Sequence, residues 1–261
     1  MHTIRLTLTY LRIGISNELQ YRVNFFIQIL QSLIALAVGL IGLALVFDYT
    51  EQLNGWSQPE LLVVMGIFIL MGGVIRSGIQ PNMQRLMDEI REGTLDFALV
   101  KPVDSQLIAS VREFRFWQLI DVALGLVIIG ISVNRMGGTL SLLDILAFIA
   151  ALLMGAVMIY CFWLMLTATA FWVVRVDEMV NLFEGVYAAG RWPVTVYPQW
   201  LRLILTFIIP VAFAVTIPAE ALTGRLTLLT LFGAFGLMVL LLVLARFVWR
   251  RGVRAYSGAS A

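Results

Sequence analysis

The chain has 261 residues, of which 61% are hydrophobic and only 13% are charged, and its mean hydropathy is +0.93. These values exclude an ordinary water-soluble globular domain and predict an all-α polytopic membrane protein. The formal net charge is +2, and nucleic acid is not an expected partner.

Residues 1–21 are predicted to form a helix that lies on the membrane surface. Apolar residues recur on one side of this segment, while Arg5 and Arg12 can reach lipid headgroups. The alternative is an unremarkable start to the first membrane span. We recognise no cleavable signal peptide, because no small-residue cleavage site follows a short apolar core.

Five hydrophobic segments are predicted to span the membrane, whose hydrocarbon core is about 30 Å thick. They cover residues 23–47, 61–79, 116–131, 142–174 and 226–248. All of them belong to a single transmembrane domain over residues 1–261.

The segment before the last span is punctuated by prolines and is harder to assign. Pro193, Pro198, Pro210 and Pro218 argue against one straight helix. We expect a short rising helix followed by a re-entrant pair within residues 191–225, because non-helical backbone at membrane depth needs protein or water around it. The alternative is a single proline-kinked span over 200–217, with 179–189 at the surface.

A polar interruption over residues 80–115 separates the second and third spans. Met83, Leu86, Met87 and Ile90 recur at i, i+3, i+4 and i+7, which is the apolar stripe of a helix. Charged and amide side chains cover the other face of this helix. The pattern predicts an amphipathic helix that rests its apolar side on the protein or the bilayer.

The same interruption contains the signals for a turn and a second short helix. Gly93 follows the last apolar position, where a left-handed residue can end a helix. The next helix is predicted to begin after Pro102, with Asp104 or Ser105 as N-cap and Ile108 on its apolar side. Two amphipathic helices between membrane spans form a docking surface at the bilayer face.

The distribution of basic residues predicts the orientation of the chain. If both termini, residues 76–115 and Arg175 lie on one side, that side holds 14 of the 18 Lys and Arg residues. By the positive-inside rule this side is cytoplasmic. Two cytoplasmic termini require an even number of crossings, and six fits. The basic residues left for the other side are Arg135, Arg191, Arg202 and Arg225.

The residue types needed for catalysis are absent or isolated. The only lysine, Lys101, precedes a proline rather than completing a phosphate-binding loop. His2 is the only histidine and Cys161 the only cysteine, so a histidine-based metal site, a catalytic triad and an intrachain disulfide are excluded. We therefore expect no catalytic residue, bound cofactor or metal in this chain.

Two stretches resemble a known family. Residues 90–102, IREGTLDFALVKP, are similar to the I-R-x-G-x-L-D-x-x-L-x-K-P segment of ABC-2 type transporter permeases. Residues 193–201, PVTVYPQWL, continued by 209–210 and 218–222, resemble the proline-punctuated outer segment before the last span of that family. The resemblance covers essentially the whole chain, and it is closest to permeases from cyanobacteria and Gram-positive bacteria.

This resemblance implies a non-catalytic subunit of an ATP-driven exporter in the bacterial plasma (inner) membrane. Two permease subunits, identical or related, would form the pathway, and a separate ATP-binding subunit would bind ATP and Mg. The loop over residues 80–115 would couple the two kinds of subunit, although a solvated helix face is the alternative for each of its residues. The expected coupling residues are Asp88, Glu89, Arg91, Glu92, Gly93 and Asp96.

Polar residues inside the first span have two interpretations. Asn24, Gln28 and Gln31 share one helix face, where they would line a pathway or form hydrogen bonds between helices. Asp121 lies early in the third span, near the cytoplasmic boundary, where we expect it to stay hydrated.

Small and aromatic residues predict packing and anchoring. Ala35, Gly39 and Gly42 form a small-residue face suited to close helix approach. Trp56 and Trp249 are typical of side chains that anchor a span at the membrane interface.

Two other classes of protein remain as alternatives. An ATPase-independent secondary transporter would show internal repeats and charged groups at mid-membrane, neither of which is evident. An integral membrane lipid-modifying enzyme would need a cluster of His, Asp or Glu residues. The sequence leaves the cargo open, as well as the choice between homodimer and heterodimer.

Overall fold

The computed structural model describes residues 22–137, 140–172 and 178–256. These residues form α-helices joined by turns and short 3₁₀ and π-helical segments, and no β-strand occurs among them. The predicted all-α polytopic class is therefore confirmed. The predicted surface helix over residues 1–21 lies outside the described residues.

The helices of the described residues are numbered here in chain order. They are α1 Arg22–Phe47, α2 Gln58–Val74, α3 Gln80–Arg91, α4 Asp96–Leu99, α5 Ser105–Val111, α6 Leu119–Met136, α7 Leu142–Ala168, α8 Glu178–Ala188, α9 Gln199–Leu203, α10 Ile217–Leu222 and α11 Leu228–Ala255.

Five helical stretches are long and apolar enough to cross a bilayer, and each overlaps one of the predicted spans. They are Val23–Phe47, Gln58–Arg91, Phe116–Met136, Leu142–Phe171 and Leu228–Ala255. The loop over residues 92–115 lies at one end of the bundle together with the C-terminal end of α11. We call this the basic end because it carries most of the arginines of the described residues, and we call the other end the opposite end.

A sixth apolar segment is a bent pair of short helices. Gln199–Ile208 and Ala212–Leu222 meet at an angle of 80°. The bend falls at Ile209, which has extended dihedral angles (φ −114°, ψ 100°), because the following Pro210 disfavours helical backbone before it and lacks an N–H. Counted as one crossing, this pair brings the total to six, and its re-entrant course stays a prediction.

Helices α2 and α3 form one continuous helix rather than a span followed by a separate loop helix. The stretch Gln58–Arg91 has 34 residues, with a π-helical segment at Ile75–Ile79. Pro81 has no N–H to offer the carbonyl oxygen of Ser77, and that oxygen accepts a hydrogen bond from the Arg115 N–H instead, at 2.8 Å. The helix therefore passes through the proline without a break.

Helices α2 and α6 approach each other closely through glycines. A Cβ atom on Gly125 would lie 2.6 Å from Leu70 Cβ, and one on Gly73 would lie 2.9 Å from the backbone nitrogen of Val122. The predicted small-residue face on α1 is less important for packing. Gly42 has open space around it, and Gly39 faces only the flexible Met65 side chain.

The opposite end is closed by side chains from distant parts of the chain. The indole N–H of Trp56 donates to Thr195 Oγ1 at 3.0 Å, and the Arg225 guanidinium lies over the Trp56 ring, 4.5 Å from its centroid. Trp56 and Trp249 are each only 2% exposed. The prediction that they anchor the chain in the membrane interface is therefore wrong, because both rings are covered by protein.

Candidate functional site

The amphipathic helix predicted in the loop is present as α3. Its four stripe residues, Met83, Leu86, Met87 and Ile90, are all buried. The other face is exposed at Arg85 and along the last turn of the helix. The helix thus holds its apolar side against the bundle and presents a charged side at the basic end.

The predicted helix end at Gly93 is confirmed. Gly93 has φ +72°, a left-handed conformation that glycine adopts without steric cost. The N–H groups of Thr94 and Leu95 both donate to the carbonyl oxygen of Glu89, at 2.9 and 3.2 Å. This turn reverses the chain into the single-turn helix α4.

Glu89 is held inside the loop by two arginines. Its Oε1 accepts hydrogen bonds from Arg112 at 2.6 Å and from Arg85 at 3.0 Å, and its side chain is only 15% exposed. Arg85 also pairs with Glu113 at 3.2 Å. The Glu89 carboxylate is therefore occupied by contacts within the chain.

Asn82 adds neutral hydrogen bonds to the same junction. Its amide donates to the Glu113 carbonyl at 2.7 Å and its side-chain oxygen accepts from the Glu113 N–H at 2.9 Å. Side chains of α3 therefore hold the strand-like segment that leads to α6.

Asp104 begins α5 and ties it to the last helix. Of the two predicted candidates, Asp104 is the N-cap, and its carboxylate accepts from the N–H groups of Gln106 and Leu107 at 3.0 and 3.3 Å. It also forms a two-point ion pair with Arg246 of α11. The hydrogen bond from Arg246 is the main cause that lowers the pKa of the Asp104 carboxyl below its usual value.

A second contact fixes α5 to α7. The Tyr160 hydroxyl lies 2.8 Å from Ser110 Oγ and accepts from the Gln106 amide at 3.2 Å. The loop is therefore attached to α7 and α11 as well as to α3, and these attachments define its position at the basic end.

The tip of the loop exposes apolar side chains that are not among the six predicted coupling residues. Phe97 is 75% exposed and Val100 is 80% exposed, while Ala98 between them is buried. Lys101 and Pro102 follow and are also exposed. Large apolar groups displayed on a polar surface are typical of a protein contact. The sequence signal for this exposed apolar surface was the run FALVKP, in which one turn of helix precedes a proline.

The six predicted coupling residues lie close together but differ in exposure. Asp88, Arg91 and Glu92 are exposed at the end of α3. Glu89 and Gly93 serve the internal contacts described above, and Asp96 is half-buried in the first turn of α4.

A second cluster of polar residues lies within the bundle, near the basic end. Asp121 is 3% exposed, and its Oδ2 accepts a hydrogen bond from Arg76 at 2.6 Å. Ser32 donates to its other oxygen, and Gln28 donates to Oδ2 at 3.4 Å. The expectation that Asp121 stays hydrated is wrong, because the residue is enclosed by donors from α1 and from the π-helical segment between α2 and α3.

Gln118 closes a ring of hydrogen bonds around this carboxylate. Its Oε1 accepts from Arg76 Nε at 3.2 Å, and its amide donates to Gln28 Oε1 at 2.9 Å. Asp121, Arg76, Gln28 and Gln118 thus join three helices through charge-assisted and amide contacts.

The polar residues predicted on one face of α1 have two different roles. Gln28 is buried and makes the hydrogen bonds between helices. Gln31 is exposed and lines a cavity of about 300 Å³ beside the Arg76–Asp121 pair, and Asn24 lines a neighbouring cavity of the same volume with Trp117. The structure thus brings Gln28 and Gln31 to one cavity wall, on which Arg76 was not anticipated.

Among the described residues, no group of three or more His, Cys, Asp and Glu side chains is arranged to hold a metal ion. A family model described as "ABC-2 family transporter protein" matches residues 33–260. Comparisons with curated proteins and with solved structures gave no match.

Proposed function

Because this chain belongs to the ABC-2 transporter family, we propose that it is the permease subunit of an ATP-driven exporter in a bacterial plasma membrane. The chain would provide the transmembrane pathway, and a separate ATP-binding subunit would bind ATP and Mg. A non-catalytic role is in keeping with its family.

The observation that carries this proposal is the continuity of α2 and α3. A helix buried in the centre of the bundle runs without a break into a surface helix at the basic end. Packed helices move as rigid bodies when a partner changes shape. A partner that displaced α3 would therefore displace α2 directly.

The docking surface for the ATP-binding subunit would lie on the loop between α3 and α6. Phe97 and Val100 would insert into an apolar groove of the partner, and Asp88 and Glu92 would make polar contacts around them. Exposed aromatic groups surrounded by polar residues are the usual anchors of protein interfaces. Glu89 would hold this surface in place through its ion pairs with Arg112 and Arg85.

We place the basic end in the cytoplasm, with both termini on that side. Arg112, Arg115, Arg246, Arg250 and Arg251 all lie at this end, in accord with the positive-inside rule. An ATP-binding subunit in the cytoplasm would then meet the loop directly.

A second permease subunit would complete the pathway. Helix α1 packs against the rest of the bundle along one narrow side, and apolar residues such as Phe26, Leu30 and Ile41 are more than half exposed. A second copy or a related chain would cover part of this face, and lipid would cover the remainder.

The test uses a charge placed at the loop tip. In the double variant Phe97→Glu/Val100→Glu, co-isolation of the ATP-binding subunit from native membranes should fall at least tenfold, and ATP-dependent export should be lost. Tyr49→Glu is the matched control, because Tyr49 is 91% exposed at the opposite end and should leave both measurements unchanged.

Membrane content of each variant is compared by blotting, so that misinsertion is separated from lost docking. Normal co-isolation with the double variant would rule out the loop as the docking surface. Failure of the unaltered protein to co-isolate any ATP-binding subunit would overturn the exporter assignment.

A further inference from the structure

The cavity beside Asp121 has both polar and apolar walls at membrane depth. Gln28, Gln31, Ser32 and Ala35 come from α1, Asp121 comes from α6, and Gln118 comes from the 3₁₀ turn before α6. The other lining residues are Phe68, Ile69, Arg76 and Arg191. Phe68 is ten residues along α2 from Gln58, about 15 Å at the rise of a helix, which is near the middle of a core about 30 Å thick.

The positive charge of this cavity exceeds its negative charge. Arg76 and Arg191 both line it, and Asp121 is its only carboxylate among the described residues. Asp121 is already paired with Arg76 at 2.6 Å. One arginine charge is therefore left without a carboxylate in the described part of the chain.

That arginine is Arg191, which the distribution of basic residues assigned to the side opposite the cytoplasm. Its guanidinium carbon lies 5.8 Å from the centroid of the Phe68 ring, and it makes no hydrogen bond or ion pair with any described residue. The side chain is exposed. A charged group at membrane depth is costly unless it meets an opposite charge or water, and such residues commonly mark the path of a substrate.

The position of Arg191 is fixed by its neighbours. Phe68 stacks on Tyr187 with ring centroids 4.9 Å apart, and the Tyr187 hydroxyl donates to the Phe68 carbonyl at 2.8 Å. Gly190 is buried, and a Cβ there would lie 2.6 Å from the Val211 side chain. The segment that carries the guanidinium is therefore tightly packed although the guanidinium itself is exposed.

The Arg76 side chain is also held in place by close packing. Its guanidinium lies against the backbone of α2, where a Cβ on Gly72 would be 3.1 Å from Nη2 and 3.2 Å from Nη1. Only Nε and Nη2 have hydrogen-bond partners among the described residues. The remaining N–H groups of Arg76 can serve a ligand in the cavity.

We propose that this cavity binds the acidic headgroup, a phosphate or a carboxylate, of an amphipathic molecule, and that such anionic amphiphiles are the cargo class of the transporter. Arg191 supplies the main charge, Gln31 and Arg76 donate hydrogen bonds, and the apolar tail lies along α1, where Ile34 and Val38 are each 55% exposed. The cargo assignment rests on the function proposed above, whereas headgroup binding can be measured without it.

The experiment measures binding to the purified full-length chain in dodecyl maltoside, without an ATP-binding subunit. Dodecyl phosphate is the probe, and calorimetric titration is the readout. Saturable binding is expected, and Arg191→Gln should weaken it at least tenfold. Arg135→Gln is the matched control, because Arg135 is an exposed arginine outside the cavity and should leave the affinity unchanged.

Two further probes test separately whether the net charge and the apolar tail are needed for binding. Dodecylphosphocholine has the same tail and a phosphate but no net charge, and inorganic phosphate has the charge but no tail. Both should bind at least tenfold more weakly than dodecyl phosphate. The proposal would be overturned if either probe bound as tightly as dodecyl phosphate. It would also be overturned if the wild-type and Arg191→Gln chains bound dodecyl phosphate equally well.

A third comparison separates cargo from bilayer lipid. The dodecyl phosphate titration is repeated in nanodiscs of phosphatidylcholine with and without phosphatidylglycerol. Unchanged affinity supports a cargo site, and abolished binding with phosphatidylglycerol would overturn the cargo assignment in favour of a resident lipid. Loss of dodecyl phosphate binding together with intact ATPase docking would remove this inference alone.

Discussion

The Arg225 guanidinium contacts both oxygens of the Glu60 carboxylate, although 165 positions separate the two residues in the chain. Arg225 Nη2 lies 2.7 Å from Glu60 Oε1 and 2.9 Å from Oε2, and the same nitrogen donates to the Gly55 carbonyl at 2.7 Å. Glu60 also completes the capping box of α2 with Ser57. This contact joins the start of the second span to the turn before the last span.

Replacing Arg225 by glutamine should destabilise the opposite end of the bundle. Two-point arginine–carboxylate contacts are stronger than single ones, but Arg225 is partly exposed to solvent, so we expect a loss of about 1 kcal/mol. The measurement is the thermal unfolding midpoint in detergent, with Arg135→Gln as control. Equal midpoints for the two variants would show that the contact contributes nothing to stability.

The glycine contact between α2 and α6 predicts a large effect from one methyl group. In Gly125→Ala the new Cβ would lie 2.7 Å from the Leu70 backbone nitrogen, which cannot move aside as a side chain could, so we expect a loss of about 1–3 kcal/mol or more. Gly130→Ala on the same helix meets open space and should gain up to about 1 kcal/mol in helix propensity. The two unfolding midpoints should therefore move in opposite directions, and a shared direction would contradict the packing.

The burial of Glu89 predicts a structural effect of its removal. In Glu89→Gln the Arg112 charge, whose side chain is only 9% exposed, loses its carboxylate, and breaking a buried pair costs about 3 kcal/mol. Trypsin cleavage within residues 92–115 should accelerate. In Arg85→Gln the pairs with Glu89 and Glu113 are lost, but Arg85 is exposed to solvent, so the cost should be about 1 kcal/mol. If Glu89→Gln left stability unchanged but abolished binding of the ATP-binding subunit, Glu89 would be an interface residue instead.

The pKa of Asp104 predicts an acid-sensitive attachment of α5 to α11. Because the folded-state pKa is lowered, the Asp104–Arg246 contact stabilises the protein fully above the unfolded-state value of about 3.9 and is lost as the pH falls through the folded-state value. The difference in unfolding midpoint between wild type and Asp104→Asn should therefore be constant near neutral pH and shrink below about pH 4. A difference that stayed constant down to pH 3 would contradict this linkage.

Local sequence patterns predicted the helices well because they depend on neighbours in the chain. Long hydrophobic runs located the five long spans, and hydrophobic periodicity located the buried stripe of α3. Residue type located the glycine turn at Gly93 and limited the N-cap to Asp104 or Ser105. Each of these signals acts within a few residues. Span boundaries were displaced where a span continues as a polar helix, as α2 does into α3.

Contacts between distant residues were not predictable in the same way. Asp121 gave no sign that Arg76, 45 positions earlier, would cover it, and Trp56 gave no sign that Arg225 would lie over its ring. The distribution of basic residues assigned Arg191 to the outer side and gave no indication of its depth. Only the packing of Tyr187 on Phe68 brings its guanidinium to the depth of the cavity.

The unbroken helix from Gln58 to Arg91 has a mechanical implication. At 1.5 Å per residue it is about 50 Å long, so a tilt of about 10° around its middle would move each tip by roughly 4 Å. The π-helical segment at Ile75–Ile79 keeps the chain helical between its two ends, so a push at the basic end would be transmitted through helix rather than through a loop. A small tilt of this helix about its middle would thus move its two ends by equal distances in opposite directions.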